Sequence, residues 1–252
     1  METQFDREQM LLGARAIETL QKSHVAVFGV GGVGSFTAEA LARAGVGAIT
    51  LIDHDTVSIS NLNRQLVALH STVGCLKTDV MAARIRDINP NCRVQTMPVF
   101  YEPECREDFF SLGFDYIADC IDSTRSKIDL IETAIARGVP IISSMGTGNR
   151  LDSSKFLITD LSKTSGCPLA KVMRRELRQR GINHHTVLTS TELPLKPTKL
   201  PGHEADLRTP PGSVSWVPPC AGMMIAGYIV QKLLARAAEP EPQNKSFLRG
   251  QN

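Results

Sequence analysis

Residues 24–53, HVAVFGVGGVGSFTAEALARAGVGAITLID, decide how the chain folds. A β-prone, mostly apolar run from His24 to Phe28 breaks at a glycine turn, with Gly29, Gly31, Gly32 and Gly34 in six positions. A helical pattern over 35–44 follows, with its apolar residues on one face, and Gly45 and Gly47 stop it. A second apolar run, 48–52, ends in Asp53, 19 positions after Gly34. Strand, glycine turn, helix and strand ending in an acidic residue is the pattern of a dinucleotide or ATP site. Glycines admit a phosphate close to the backbone, and a helix N-terminus offers free N–H groups and the positive end of its dipole. Asp53 would accept hydrogen bonds from ribose hydroxyls. The bland alternative is a tight turn in an α/β sheet with no ligand; the correct context on both sides of the turn favours the nucleotide.

Outward from this stretch the alternation continues. Asn61, Arg64 and Gln65 fall in a polar loop or short helix, and Lys77 opens a helix over 77–88 that Asn89-Pro90 stops. Strands are expected at 93–99, 115–119 and 139–143, with a helix at 125–137 between the last two. Strands alternating with helices imply a Rossmann-like, doubly wound, mostly parallel α/β sheet, in which ligands sit at the carboxyl ends of the strands. Gly29 to Gly34, Asp53, Asp119 to Asp122 and Ser144 to Gly148 all lie at such ends. Beyond Phe156 the pattern changes: strands at 156–161 and 187–190, a basic helix at 168–180, a proline-rich loop or flap at 192–212, a strand at 213–217 and an apolar helix at 221–235. This part is expected to add antiparallel strands. Ahead of the first strand, residues 5–20 read as one or two short amphipathic helices carrying Arg7 and Arg15.

Bulk properties narrow the function classes. The chain has 252 residues, 42% of them apolar, and a net charge of +2, so no global field demands a nucleic-acid partner. The six cysteines form no CxxC pair, which removes zinc-ribbon and thioredoxin-like readings. Scattered thiols in an α/β protein suit a reducing cytoplasm. The polar N-terminus is no signal peptide, and the longest apolar run, 220–230, is too short to span a bilayer. One nucleotide-binding domain over 1–238 and a disordered tail over 239–252 are expected.

Cations distinguish the nucleotides. Helix N–H groups largely suffice for a pyrophosphate, whereas Arg64 and Lys77, with Asn61 and Gln65 beside them and Asp122 at a later strand end, suit Mg-ATP. Taken singly, each of these is as well explained by solvation, and Asp122 by capping the following helix.

The motifs GVGGVGS, LIDHDTVSISNLNRQ, VGCLKTD and ADCIDS, in this order and spacing, resemble the ThiF/MoeB/HesA superfamily of ubiquitin-activating-like adenylating enzymes over residues 5–235. The resemblance implies an ATP site built from Gly31, Gly32, Asp53, Asn61, Arg64, Lys77 and Asp122, with Gly29 and Gly34 shaping the turn, Gln65 beside it and Asp122 holding Mg2+. It implies a homodimer in which Arg7 reaches the neighbouring subunit's ATP. Within the superfamily, INPNCRV, SKTSGCPLAKVMRRELR and PGSVSWVPPCAGMMIAG are similar to the branch that dehydrates threonylcarbamoyladenosine in tRNA. The implied reaction is an ATP-dependent ring closure through an acyl-adenylate. The alternatives are activation of a ubiquitin-like or sulfur-carrier protein, for which Cys167 and Cys220 are candidate thiols, and a nicotinamide-binding module. Lys171, Arg174, Arg175 and Arg178 share one helical face that could track a tRNA backbone or simply be solvated.

Overall fold

The computed structural model describes residues 2–198 and 211–238. Its centre is a seven-stranded sheet: β1 (His24–Phe28), β2 (Ala48–Ile52), β3 (Arg93–Met97), β4 (Tyr116–Asp119), β5 (Ile141–Ser144), β6 (Phe156–Asp160) and β7 (Thr186–Ser190), in the order β3-β2-β1-β4-β5-β7-β6. All neighbouring pairs run parallel except β6 and β7, paired antiparallel from Phe156–Ser190 to Asp160–Thr186. The doubly wound reading therefore stands. Among the described residues the expected antiparallel addition is β6 alone, since β7 joins β5 in parallel.

Strand alternation distributes the core. Val25 and Val27 of β1 point to one face, with Ile49 and Leu51 of β2. Four helices cover it: α2 (Ala14–Lys22), α3 (Gly34–Arg43), α4 (Lys77–Ile88) and α8 (Val217–Ala238). Ala26 and Phe28 point to the other face, under α5 (Arg106–Phe110), α6 (Thr124–Ala136) and α7 (Pro168–Gln179). Strands buried on both faces read as continuous apolar runs, which is why β1, β2 and β4 stand out in the sequence.

The strand expected at 213–217 does not form. Val214 and Trp216 mimic a period-two pattern, but Pro218 and Pro219 cannot donate to a ladder and their fixed φ suits a helix's first turn. Helix α8 starts at Val217 instead. Among the described residues α8 is the helix long and apolar enough to cross a membrane, with a mean hydropathy of 1.2. Its apolar face, Ala221, Ile225, Ile229 and Leu233, is buried in the core against α3 and the sheet. α1 (Asp6–Leu12) buries no residue, and Met10 and Leu11 are more than four-fifths exposed. The tail expected to be disordered, 239–252, lies outside the described residues, as does much of the proline-rich segment.

Candidate active site

The carboxyl ends of β1, β2, β4 and β5 open into one cavity of about 490 Å³. Its walls include Gly29, Gly31, Gly32, Asp53, Asn61, Arg64, Gln65, Lys77 and Asp122, from segments up to 93 positions apart in the chain. Of the residues singled out from the sequence for the chain's own ATP, Gly34 alone is missing from the lining. Its place is structural: a Cβ there would lie 1.8 Å from the Gly29 carbonyl oxygen, so only glycine lets α3 start this close to the turn. Gly29 has φ +85°, the left-handed region that glycine adopts without strain.

The glycine-turn side is held by charge. Val30 N–H donates to Asp53 Oδ2 at 2.6 Å and Asp55 N–H to Asp53 Oδ1 at 2.9 Å, so one carboxylate ties the glycine turn to the end of β2. Each oxygen keeps a lone pair for a ribose hydroxyl. Lys77 is only 5% exposed, and its ammonium meets Asp55 Oδ2 at 2.6 Å. A buried ammonium needs a partner. Asp55 is half in water, so an incoming phosphate could displace it at low cost. Arg64 Nη1 donates to the Ser60 carbonyl at 2.8 Å and to Asn63 Oδ1 at 3.0 Å. Burial draws the Arg64 pKa below its ordinary value, yet a guanidinium stays cationic throughout the physiological range. Gln65 Oε1 and Ser213 Oγ are buried in the lining without a hydrogen-bond partner. Buried polar atoms are normally satisfied, so two unsatisfied ones in residues of one cavity wall are an exception.

Asp122 is exposed, and its carboxylate has no hydrogen-bond partner among the described residues. It does not cap the next helix; the cap position belongs to Ser123. The turn presenting it rests on a fully buried ion pair, Lys127 Nζ to Asp119 Oδ1 at 2.7 Å, and the same oxygen accepts the Ile121 N–H at 3.2 Å. Beside it, burial pushes the Cys120 thiol up to about 12, which makes it a poor nucleophile at neutral pH. A separate group of close ligand atoms is Asp53, His54 and Asp55. Their distances are already accounted for by the loop and Lys77 contacts.

The lining also includes Ser144, Gly146, Thr147, Gly148, Leu169 and Ser213. This wall is braced at Asn149, whose φ is +59°: its N–H donates to Gly212 O at 2.7 Å, and its Oδ1 accepts the Gly212 N–H at 2.6 Å. The sequence reading missed Val99, Phe100 and Tyr101, which line the cavity just after β3. The strand-end rule that found the other segments applies to β3 as well and would have found them.

The basic face of α7 forms a second, shallow concavity lined by Lys171, Arg174, Arg175, Arg178 and Gln179. Ala170, Met173 and Leu177 bury the opposite face. Arg174 is committed to Thr164, donating to its carbonyl at 2.8 Å and to its hydroxyl. Arg175 meets Glu176 at 2.8 Å, while Lys171 and Arg178 are exposed. Arg7, on α1, is exposed and does not line its own chain's cavity.

The profile of the ThiF family matches residues 5–251. The chain belongs to the ThiF family. Among its members, the tRNA threonylcarbamoyladenosine dehydratase of Bacillus subtilis is 47% identical over 240 residues, which are 92% of this chain and 94% of that one. The Escherichia coli enzyme of the same name is 45% identical over 168 residues, 67% of this chain and 63% of that one. A crystal structure of the E. coli dehydratase in complex with ATP superimposes with a TM-score of 0.84 at 37% identity, covering 93% of this chain and 95% of that one.

Proposed function

We propose that this ThiF-family chain is an ATP-dependent tRNA threonylcarbamoyladenosine dehydratase. The observation that carries the reading is the near-full-length likeness to the B. subtilis dehydratase. The substrate's side-chain carboxylate attacks the α-phosphorus of ATP, a P–O bond forms, and pyrophosphate leaves with the bonding pair. The ureido group next to the resulting acyl-adenylate then attacks the acyl carbon, AMP leaves, and the ring closes. Water is lost overall, its oxygen leaving in AMP.

Roles follow from position. Gly31 and Gly32 bring bare backbone to the phosphates at the start of α3. Asp53 takes the ribose, and Asn61 and Gln65 supply amide groups. Arg64 and Lys77 neutralise charge that develops on the phosphates as pyrophosphate leaves, with Asp55 yielding Lys77. Asp122, exposed in the cavity and without a hydrogen-bond partner among the described residues, is the residue to hold Mg2+, which would supply further neutralisation there. The α7 stripe begins two residues beyond cavity-lining Leu169 and runs outward for about 10 Å at 1.5 Å per residue, a suitable track for RNA phosphates. All six cysteines are free, which suits the reducing cytoplasm.

The active form is a homodimer in which Arg7 serves the partner's ATP. α1 carries Arg7 beside exposed Met10 and Leu11, an apolar face that a second copy would cover. Mixing an Arg7→Ala chain with an Asp122→Ala chain should restore some activity, since each heterodimer keeps one complete site. Confirmed heterodimers with no recovery would rule out the trans-acting arginine. The reaction itself is tested by mass spectrometry of nucleosides from tRNA incubated with ATP and the purified protein. Cyclised product with stoichiometric AMP is expected. AMP formation only on adding a carrier protein would replace this reading with carrier activation.

A further inference from the structure

Trp216 is the chain's only tryptophan and has no part in the site described above. Its side chain is 50% exposed. A lone exposed apolar residue needs no explanation. What sets this ring apart is how it is held and where. The indole Nε1–H donates to the Leu151 carbonyl at 2.7 Å, so its one polar atom is satisfied and its plane is fixed. The ring therefore offers a visitor only a π-face and an apolar edge.

Its surroundings are the cavity rim. Ser213 and Pro218, on either side of it in sequence, line the cavity. Pro218 lies against the glycine turn, where a Cβ on Gly32 would come within 3.0 Å of it. Asn63 Nδ2 grips the Ser213 carbonyl at 2.9 Å, and Gly212 is pinned to Asn149. Glu192 holds the Leu151 N–H at 3.0 Å, so the carbonyl that carries the indole is itself braced. The aromatic face is thus a preorganised ledge beside the cavity.

We propose that Trp216 is a stacking platform for an unpaired RNA base adjoining the adenosine that enters the cavity. The proposal rests on the tRNA reading above and adds to it the way the RNA loop is seated. A base fits because every base has a π-face and stacking needs no hydrogen bond from the ring. The basic stripe on α7 starts beside the same cavity and favours a polyanion there over an acid-poor apolar peptide.

A single tryptophan makes the ledge its own reporter. The probe is a synthetic RNA hairpin with the target adenosine in its unpaired loop, titrated against full-length protein. Stacking should quench Trp216 emission by half or more at saturation. Trp216→Leu should weaken hairpin binding about tenfold and raise the KM for tRNA, with the KM for ATP unchanged. Trp216→Phe, which keeps a ring, should stay within about threefold of wild type. Saturable hairpin binding by gel shift without quenching, or wild-type affinity in Trp216→Leu, would overturn the proposal. A change in sedimentation in Trp216→Leu with unchanged hairpin affinity would also overturn it, assigning the ring to contact with a second copy. If neither hairpin nor tRNA binds the wild-type protein while ATP still raises its melting temperature, the tRNA reading itself fails. If tRNA is cyclised and Trp216 stays silent, only the ledge fails.

Discussion

On the glycine-turn side of the cavity the charged groups are held by one another and by the backbone: Asp53 holds the Val30 N–H and Asp55 holds the Lys77 ammonium, each at 2.6 Å. On α7 the cations are treated differently. Lys171 and Arg178 stand in water, Arg175 leans on its neighbour Glu176, and Arg174 alone is locked, to Thr164. The contrast follows from what each region would have to do. Stabilising charge in a transition state requires donors that need not reorganise during the reaction. Attracting a polyanion requires only a field, which exposed surface cations supply, and their contacts to phosphates gain from release of the counterions condensed on the nucleic acid. Preorganisation is therefore concentrated where bonds would change.

The sharpest way to break this comparison is to remove the carboxylate that the turn after β4 presents. Asp122→Ala should lower adenylation at least about a thousandfold, measured as ATP–pyrophosphate exchange, because several kcal/mol of charge stabilisation would be lost. Its melting temperature should match wild type, since Asp122 is exposed and has no hydrogen-bond partner among the described residues. Turnover within about threefold of wild type would remove Asp122 from the metal role.

Lys77→Ala and Arg64→Ala should each slow the chemical step about a hundredfold, the common cost of one lost charge stabiliser. A rise in the KM for ATP with kcat unchanged would show that they bind the ground state only. Asp55→Asn sharpens the point. If Asp55 merely parks Lys77 until phosphate arrives, that variant should keep most of its turnover while Lys77→Ala does not.

The fold of the nucleotide half was legible because its strands are buried on both faces and its glycine turn has one workable geometry. The helix over 77–88 is predicted and found with the same bounds. The partner of Lys77 was not legible, since nothing in sequence links residues 22 positions apart across a loop. Nor was the start of α8: Val214 and Trp216 imitate a strand, and only the prolines beyond them argue otherwise. The basic stripe was visible as a period of 3.6 residues, but the loss of Arg174 to Thr164 depends on tertiary contact.

Changing Lys171, Arg174, Arg175 and Arg178 together to glutamine should weaken tRNA binding about tenfold and leave the affinity for ATP unchanged. With Arg174 already committed, two or three phosphate contacts would be lost, so the slope of log affinity against log salt should fall by about two units. An unchanged slope would mean that the stripe is only solvated, and the comparison between the two regions would lose its second member.

The seam between the halves predicts an effect on stability rather than turnover. His185, just before β7, is 6% exposed and shares a hydrogen bond of 2.8 Å with Ser143 Oγ of β5. Burial lowers its pKa from 6.5 to about 4; nearby Lys127 adds to the shift, and Asp160 opposes it. The unfolded chain therefore binds a proton between pH 6.5 and 4 that the folded chain refuses. Stability from this group is fully present above pH 6.5 and is lost as pH falls toward 4, at up to about 1.4 kcal/mol per pH unit and about 3 kcal/mol in all. His24, also lowered by burial, contributes in the same direction, so the wild-type curve alone does not isolate His185. His185→Gln should do so: denaturant unfolding from pH 7 to 4.5 should show a shallower acid limb than wild type, with turnover at neutral pH unchanged. Parallel limbs in the two proteins would show that His185 is protonated as easily in the folded chain as in the unfolded one, and that the seam is open to water.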